Sequence, residues 1–222
     1  FQKRLIDQPL MRNVVADMVL ESEAALNLSL RVARAVDNQN SNEDERSFAR
    51  ISTAISKYWV TKRAPYLVFE ALECHGGPGY IEESVMPRLY REAPLNSIWE
   101  GSGNVMCLDV LRALQRDKNA LPALLKELDL AKGANRNFDV SLANLKSNLD
   151  SSKGIETEAR LITEKMACLI QASIFIKSGQ EEKISAFCDS RLGPTWSGAF
   201  GTLSEGTNFD EIINNNYQSI IV

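Results

Sequence analysis

Apolar residues in the first part of the chain recur mostly at spacings of three and four, the period of a helix with one buried face. Between Gln8 and about Val36, the positions with this period are Leu10, Val14, Met18, Ala25, Leu28, Val32 and Ala35. The polar run 37–42 (Asp-Asn-Gln-Asn-Ser-Asn) favours turns, because these side chains bond to nearby backbone groups. The pattern predicts one long amphipathic helix that ends at this run.

A second helix is predicted from about Asn42, where a new apolar stripe begins. Its positions are Phe48, Ile51, Ile55, Trp59, Leu67, Phe69 and Leu72. Pro65 interrupts the stripe, lacks a backbone donor and is expected to kink this helix, and the Gly-Gly-Pro-Gly run 76–79 is expected to end it. Ser102 is a candidate N-cap, and the apolar spacing after it predicts a third helix over about 103–115.

The rest of the chain keeps the helical period. The positions that carry it are Leu121, Leu124, Leu128, Phe138, Leu142, Leu145, Ile162, Met166, Leu169 and Ile176. Before the tail 217–222, which has a weak strand-like pattern, no run of alternating residues indicates a strand. The predicted class is therefore all-α.

The stripes divide the chain into two regions. Residues 1–117 are predicted to form an up-down helical bundle, and residues 118–222 a C-terminal helical extension that packs on it. The three stripes of the first region each need an apolar partner, so a fourth bundle helix is required. We expect the extension to supply it, near residues 155–177.

Composition narrows the functional class. The 222 residues are 44% hydrophobic and 24% charged, as in an ordinary globular protein, and no run of apolar residues is long enough to cross a membrane. We expect a cytoplasmic protein. The net charge is −4, which argues against a dominant nucleic-acid surface. The four cysteines are widely spaced and signal neither a metal site nor a disulfide framework.

Two segments carry the most specific signal. The first is 70–80, Glu-Ala-Leu-Glu-Cys-His-Gly-Gly-Pro-Gly-Tyr, and the second is 96–112, Asn-Ser-Ile-Trp-Glu-Gly-Ser-Gly-Asn-Val-Met-Cys-Leu-Asp-Val-Leu-Arg. Together they resemble the acyl-CoA dehydrogenase family, in which a helix ends in a Gly-Gly-x-Gly turn and an aromatic-Glu-Gly-Ser/Thr segment opens a later helix. Segment 96–112 resembles the AidB-like branch in particular. The start, Phe1 to Leu10, resembles the family's Phe-Gly-Lys opening of its C-terminal bundle, with Gln2 in place of the usual Gly.

The resemblance implies a flavoprotein that binds FAD and oxidises an acyl-CoA thioester at the α,β positions. It also implies a homo-oligomer, a dimer or a tetramer. The chain does not start with Met, and the family's N-terminal helical domain and middle β-domain have no counterpart in it. We therefore expect a C-terminal fragment that is inactive alone and carries no tightly bound FAD, because the cofactor would lose most of its contacts.

Glu100 matches the family's catalytic base, which removes the α-proton of the thioester. A base for so weak a carbon acid must be desolvated and precisely placed, and Trp99 and Gly101 could supply a hydrophobic wall and close backbone approach. The alternative interpretation is structural. Glu100 would then be one of the acidic residues that stabilise a helix N-terminus.

Five further residues match positions that contact the flavin in the family. Gly76 and Gly77 match the turn that lies against the diphosphate of a neighbouring subunit's flavin, Ser102 and Asn104 match polar contacts beside the base, and Gln8 matches a contact to the adenosine end. Each also has a structural explanation, namely a helix stop for the glycines and ordinary N-terminal polar positions for the others. Glu73 replaces the family's usual Gln, which weakens the expected contact to the diphosphate.

Arg112 and Arg191 lie in segments that resemble the part of the AidB-like branch proposed to contact duplex DNA. A helical DNA-interaction module with vestigial dehydrogenase chemistry is therefore an alternative function, and a purely structural bundle for tetramer assembly is a third. The structural explanation for the two arginines is pairing with nearby Asp109 and Asp189. His75, the only histidine, is expected to be structural, since no catalytic constellation surrounds it.

Overall fold

The computed structural model describes residues 2–150, 155–194 and 198–216, and within these ranges helices are the only regular secondary structure. The first five α-helices are α1 (Pro9–Asn38), α2 (Glu43–Cys74), α3 (Gly77–Tyr80), α4 (Met86–Glu92) and α5 (Gly103–Arg116). They are followed by α6 (Ala120–Asp129), α7 (Arg136–Asp150), α8 (Ala159–Ser178), α9 (Glu181–Phe187) and α10 (Phe209–Asn214). The all-α prediction is confirmed; the tail 217–222 lies outside the described residues.

The boundaries of the long helices follow from local chemistry. Pro9 opens α1, where its missing N–H is not needed. Asn42 caps α2, since its side-chain oxygen accepts hydrogen bonds from the backbone N–H groups of Asp44 (2.9 Å) and Glu45 (3.3 Å). The acidic first turn of α2 adds a favourable interaction with the helix dipole.

Helix α2 runs through Pro65 and does not end there, and the kink expected at Pro65 stays a prediction. Pro65 removes one backbone hydrogen bond, but the residues on both sides of it pack against the rest of the bundle. Tertiary packing thus outweighs the local cost of the proline. The helix stops only at Cys74, as the glycine run predicts.

The fourth bundle helix is α8. It packs against α1, α2 and α5, and most of its side chains are buried. One continuous apolar core extends from Ala16 in α1 to Ile212 in α10. The bundle region and the extension therefore share a single core, and α5 packs against both α2 and α8.

Buried ion pairs also join the extension to the first two helices. Arg191 contacts Asp17 and Glu21 on α1, and Arg63 on α2 bonds to the same Glu21 (3.0 Å). These four side chains are buried. They fix the segment after α9 against the α1–α2 pair.

Candidate active site

The loop before α5 places Glu100 in an unusual backbone conformation. Glu100 has φ 54°, in the left-handed region that non-glycine residues rarely adopt, and Gly101 follows with φ 116°. The φ of Gly101 favours glycine, and a Cβ atom there would also require the flexible Met106 side chain, whose terminal methyl carbon would lie 2.3 Å away, to move. Such conformations persist where the surroundings determine them, and they cluster at functional sites.

Lys57, on α2, forms hydrogen bonds to the backbone of this loop. Its ammonium group donates a hydrogen bond to the carbonyl of Trp99 (2.9 Å) and another to the carbonyl of Gly101. The two acceptors lie on either side of Glu100. Lys57 is not among the residues predicted from the sequence. No local motif marks it, because its contacts are with residues more than forty positions away.

Glu100 lines an open cavity of about 680 Å³ between the end of α1, the first half of α2 and α5. The cavity wall has apolar positions, Val36, Ala49 and Ala54, and cationic ones, Arg46, Arg50 and Lys57. Glu100 is exposed. Its neighbour Trp99 is 56% exposed, so within the described residues the expected hydrophobic wall does not cover the carboxylate.

Two more predicted site residues lie at the N-terminus of α5. Ser102 takes the N-cap backbone position, but its hydroxyl makes no capping hydrogen bond. Asn104 accepts a hydrogen bond from Arg160 Nε (2.8 Å), which ties this point to α8. The first N–H groups of α5 have no acceptor within the helix. Glu100, Ser102 and Asn104 therefore come together, with backbone donors beside a carboxylate.

The glycine turn forms a second, separate cluster. Gly76 has φ 62° and ψ −143°, which favours glycine, and a Cβ on Gly79 would lie 2.1 Å from the carbonyl oxygen of Leu72. Around Gly77 the space is open. Gln8 lies nearby, in a cavity of about 370 Å³ that Glu73 also lines.

This second cluster is negatively charged. The pKa of the Glu70 carboxyl is raised, mainly by burial and further by the negative charges of Glu73 and Asp17. Burial, then Glu70 and Glu73, raise the pKa of the Cys74 thiol. An anion bound at the glycine turn would therefore meet two nearby carboxylates, which opposes the backbone donors.

The two clusters lie too far apart to contact the same part of one ligand within one subunit. Lys57, below Glu100, and Cys74, next to the glycine turn, are on the same helix, about 25 Å apart at 1.5 Å per residue. At α5, backbone donors and the Glu100 carboxylate adjoin a cavity, which is the setting that the resemblance implies for FAD. At the glycine turn the backbone fits a diphosphate, whereas Glu70 and Glu73 do not favour one.

The arginines predicted to contact DNA occupy different settings. Arg112 is half-exposed and bonds to Asp109 (2.8 Å), as the structural explanation predicts. Arg191 is only 5% exposed, and its guanidinium pairs with Asp17 and Glu21 instead of Asp189. The assignment of Arg191 to DNA binding is therefore corrected: packing across the bundle buries this side chain and neutralises its charge inside the protein.

The only histidine of the sequence, His75, contacts the backbone of its own helix. His75 bonds through Nδ1 to the carbonyl of Ala71 (2.7 Å) in its own helix. In ranges 2–150, 155–194 and 198–216, no group of three metal-ligating side chains is close enough to hold an ion. None of the helices described there has the length and apolarity to cross a bilayer.

Comparison with known proteins identifies what this arrangement resembles. The sequence profile of the acyl-CoA dehydrogenase C-terminal domain matches residues 1–115. AidB of Escherichia coli strain K12, whose name places it among the acyl-CoA dehydrogenases, is 41% identical over 192 residues, which cover 86% of this chain and 35% of that protein. Acyl-CoA dehydrogenase family member 11 of Caenorhabditis elegans is 32% identical over 147 residues, 65% of this chain and 24% of the relative.

A solved structure gives the same result. The crystal structure of Caenorhabditis elegans ACDH-11 in complex with C11-CoA superimposes with a TM-score of 0.75 at 25% identity, over 95% of this chain and 41% of that one. This chain thus spans well under half the length of the relatives that it matches. Because the domain profile covers more than half of the sequence and the fold agrees, the chain belongs to the acyl-CoA dehydrogenase family, and residues 1–115 are its C-terminal domain.

Proposed function

We propose that the chain is the helical part of an FAD-dependent acyl-CoA dehydrogenase of the AidB-like branch, with Glu100 as the catalytic base. The observation that carries the proposal is the geometry of Glu100. It is held at φ 54° at the mouth of a cavity of about 680 Å³, directly before the free backbone donors of α5. A carboxylate needed only for helix stability has no reason to occupy a strained conformation.

In this proposal, Glu100 accepts the proton from the α-carbon of an acyl-CoA thioester. When bound, FAD supplies the acceptor for the hydride that leaves the β-carbon. Ser102 and Asn104 orient the flavin from the start of α5, and Arg160 keeps the Asn104 amide in place. The chain's own contribution is thus a positioned base and polar contacts beside it.

Completion of the site requires protein outside the described residues. Glu100, Ile98 and Trp99 are exposed, yet a base for a weak carbon acid works best away from water. We propose that further domains and a second subunit supply this cover, in a dimer or tetramer. The glycine turn, with Gly76 and Gly77, and Gln8 would then contact a neighbouring subunit's flavin. This agrees with the rise of about 25 Å along α2 between Lys57, which binds the Glu100 loop, and Cys74, next to the turn.

From this incompleteness we infer that the isolated chain is inactive and carries no tightly bound FAD. Purified alone, it should be colourless. A cytoplasmic location is part of the proposal: all four cysteines lie in the described part of the chain and are free thiols, which suits a reducing compartment. DNA binding is not proposed, since the charge of Arg112 is balanced by Asp109 and Arg191 is buried.

The test is Glu100→Gln in the full-length protein, followed by anaerobic stopped-flow absorbance at the flavin band after mixing with short straight-chain and branched acyl-CoAs. The amide keeps the shape of the side chain but cannot take the α-proton. We expect flavin bleaching to slow by about 10²- to 10⁴-fold or more, with FAD content unchanged.

The matched control is Glu92→Gln, the same change at an exposed carboxylate that pairs only with Arg88 on the surface. It should bleach at the wild-type rate. Bleaching of Glu100→Gln at the wild-type rate would remove Glu100 from the mechanism. Failure of the wild type to bleach with any acyl-CoA would refute the dehydrogenase assignment.

A further inference from the structure

We propose that Lys57 is a positioning residue of this site: it holds Glu100 in its left-handed conformation by binding the carbonyls on both sides of it. The functional part of this inference rests on the proposed role of Glu100. The conformational part concerns the loop alone and can be measured without catalysis.

Two peptide carbonyls accept hydrogen bonds from the same ammonium group. Lys57 lies on α2, and its Nζ is within hydrogen-bond distance of the carbonyl oxygens of Trp99 and Gly101. An ammonium has three donors and a full charge, so both bonds are charge-assisted. Among the described residues, Lys57 forms no salt bridge with a carboxylate, so these carbonyls are its main partners.

The two bonds restrict the torsions between them. The Trp99 carbonyl belongs to the peptide that precedes Glu100, and the Gly101 carbonyl belongs to the peptide that follows Gly101. When both oxygens are held by the same atom, the backbone of Glu100 and Gly101 must curl around it. This curl is the observed combination of φ 54° and φ 116°. A non-glycine residue stays in that region only when its surroundings determine it.

The curl also decides where the base points. At positive φ the Cα–Cβ bond of Glu100 leaves the chain in a different direction from that in a helix or an extended strand. The side chain accordingly lines the cavity that Lys57 also lines. Lys57 contacts backbone and acts through Glu100, and so differs from a residue that touches the reacting atoms.

The first experiment measures the loop. Full-length protein is prepared as wild type and as Lys57→Met, which keeps an unbranched apolar side chain but removes the ammonium. Amide hydrogen exchange is followed by mass spectrometry in peptides that cover 98–104. We expect exchange in this segment to become about tenfold faster or more in Lys57→Met, since two charge-assisted bonds are lost.

The matched control is Lys62→Met, the same change on the same helix, at a lysine that lines a different cavity, with Glu164 and Gly198. Its exchange in 98–104 should equal that of the wild type. Equal exchange in Lys57→Met and wild type would overturn the proposal. Should Lys57→Met fail to fold, Lys57→Leu decides, because it also removes every donor from the side chain. Wild-type exchange in that variant overturns the proposal equally.

The second experiment measures catalysis. At saturating acyl-CoA, Lys57→Met should bleach the flavin about 10²-fold more slowly, with FAD content and acyl-CoA affinity unchanged, as expected for a displaced base. Lys57→Arg, which retains charge and donors, should recover part of this loss. Added to Glu100→Gln, Lys57→Met should cause no further loss, because both act on one step.

The exchange and bleaching experiments distinguish failure of the Lys57 proposal from failure of the proposed function. A wild type that does not bleach refutes the proposed function, while the exchange experiment still decides whether Lys57 holds the loop. Faster exchange with an unchanged bleaching rate would overturn the positioning role. A general loss of FAD and thermal stability in Lys57→Met, with no selective exchange at 98–104, would show a merely structural lysine and also overturn it.

Discussion

Replacement of Arg191 by methionine should destabilise the protein strongly, although the residue lies far from any predicted catalytic group. Its guanidinium is the meeting point of two carboxylates on α1: Nη2 contacts Asp17 and lies 3.1 Å from Glu21 Oε2. Asp17 is fully buried and Glu21 nearly so. Methionine fills a similar volume but removes the guanidinium from Asp17, which keeps the Gly201 N–H at 2.9 Å as a neutral donor.

The magnitude follows from the burial. Breaking a buried ion pair from one side costs about 3–5 kcal/mol, because the remaining charge stays out of water without its partner. For a protein of this size, 1 kcal/mol corresponds to about 2–4 °C in Tm. Glu21 keeps its hydrogen bonds to Arg63 after the change, so it contributes little to the loss. The cost of about 3–5 kcal/mol therefore arises mostly at Asp17. The expected decrease in Tm is about 6–20 °C.

The assay is thermal unfolding followed by far-ultraviolet circular dichroism. Arg112→Met is the control, since Arg112 is half-exposed and its partner Asp109 keeps a second arginine, Arg50, at 2.8 Å. That variant should change the free energy of unfolding by about 0–1 kcal/mol. In Arg191→Met, adding Asp17→Asn should restore part of the stability, because the amide is neutral. A Tm for Arg191→Met within about 2 °C of wild type would refute this reasoning.

Three further outcomes follow from the same contacts. Burial raises the pKa of the Glu21 carboxyl, but Arg191 and Arg63 outweigh it and hold this pKa below its usual value. The stabilising contribution of the carboxylate is therefore present above about pH 4.5 and is lost as the pH falls through the lower pKa of the folded state. Tm measured from about pH 7 to about 3 should decrease, and a constant Tm would contradict this. Gly79→Ala should cost about 1–3 kcal/mol, while Gly77→Ala, with open space around its Cβ, should cost less, and equal chemical-denaturation midpoints would contradict the packing argument. Glu73→Gln in the full-length protein should tighten FAD binding about two- to fivefold by removing a screened like charge, measured by fluorescence titration, and weaker binding would count against a diphosphate at this turn.

The helices and the family assignment could be predicted from the sequence because their signals are local. A period of three to four residues needs only neighbouring positions to be recognised, and Asn42 and the glycine run mark boundaries by chemistry within a few residues. Segment 96–112 identified the family, since it combines a particular order of residue types over a short length. The continuation of α2 through Pro65, by contrast, depends on the packing of the helix against the rest of the bundle.

Only the tertiary structure decided how these parts act together. Nothing near Glu100 in the sequence points to Lys57, which is 42 residues before Trp99, and nothing near Arg191 points to Asp17, 174 residues away. Whether an arginine is exposed to solvent or buried in an ion pair depends on which helices pack against it in the folded protein. The sequence by itself determined where helices form and which family they belong to; packing across α1, α2, α5 and α8 determined the conformation of the base and the partners of its neighbours, because contacts between distant residues exist only after the chain has folded.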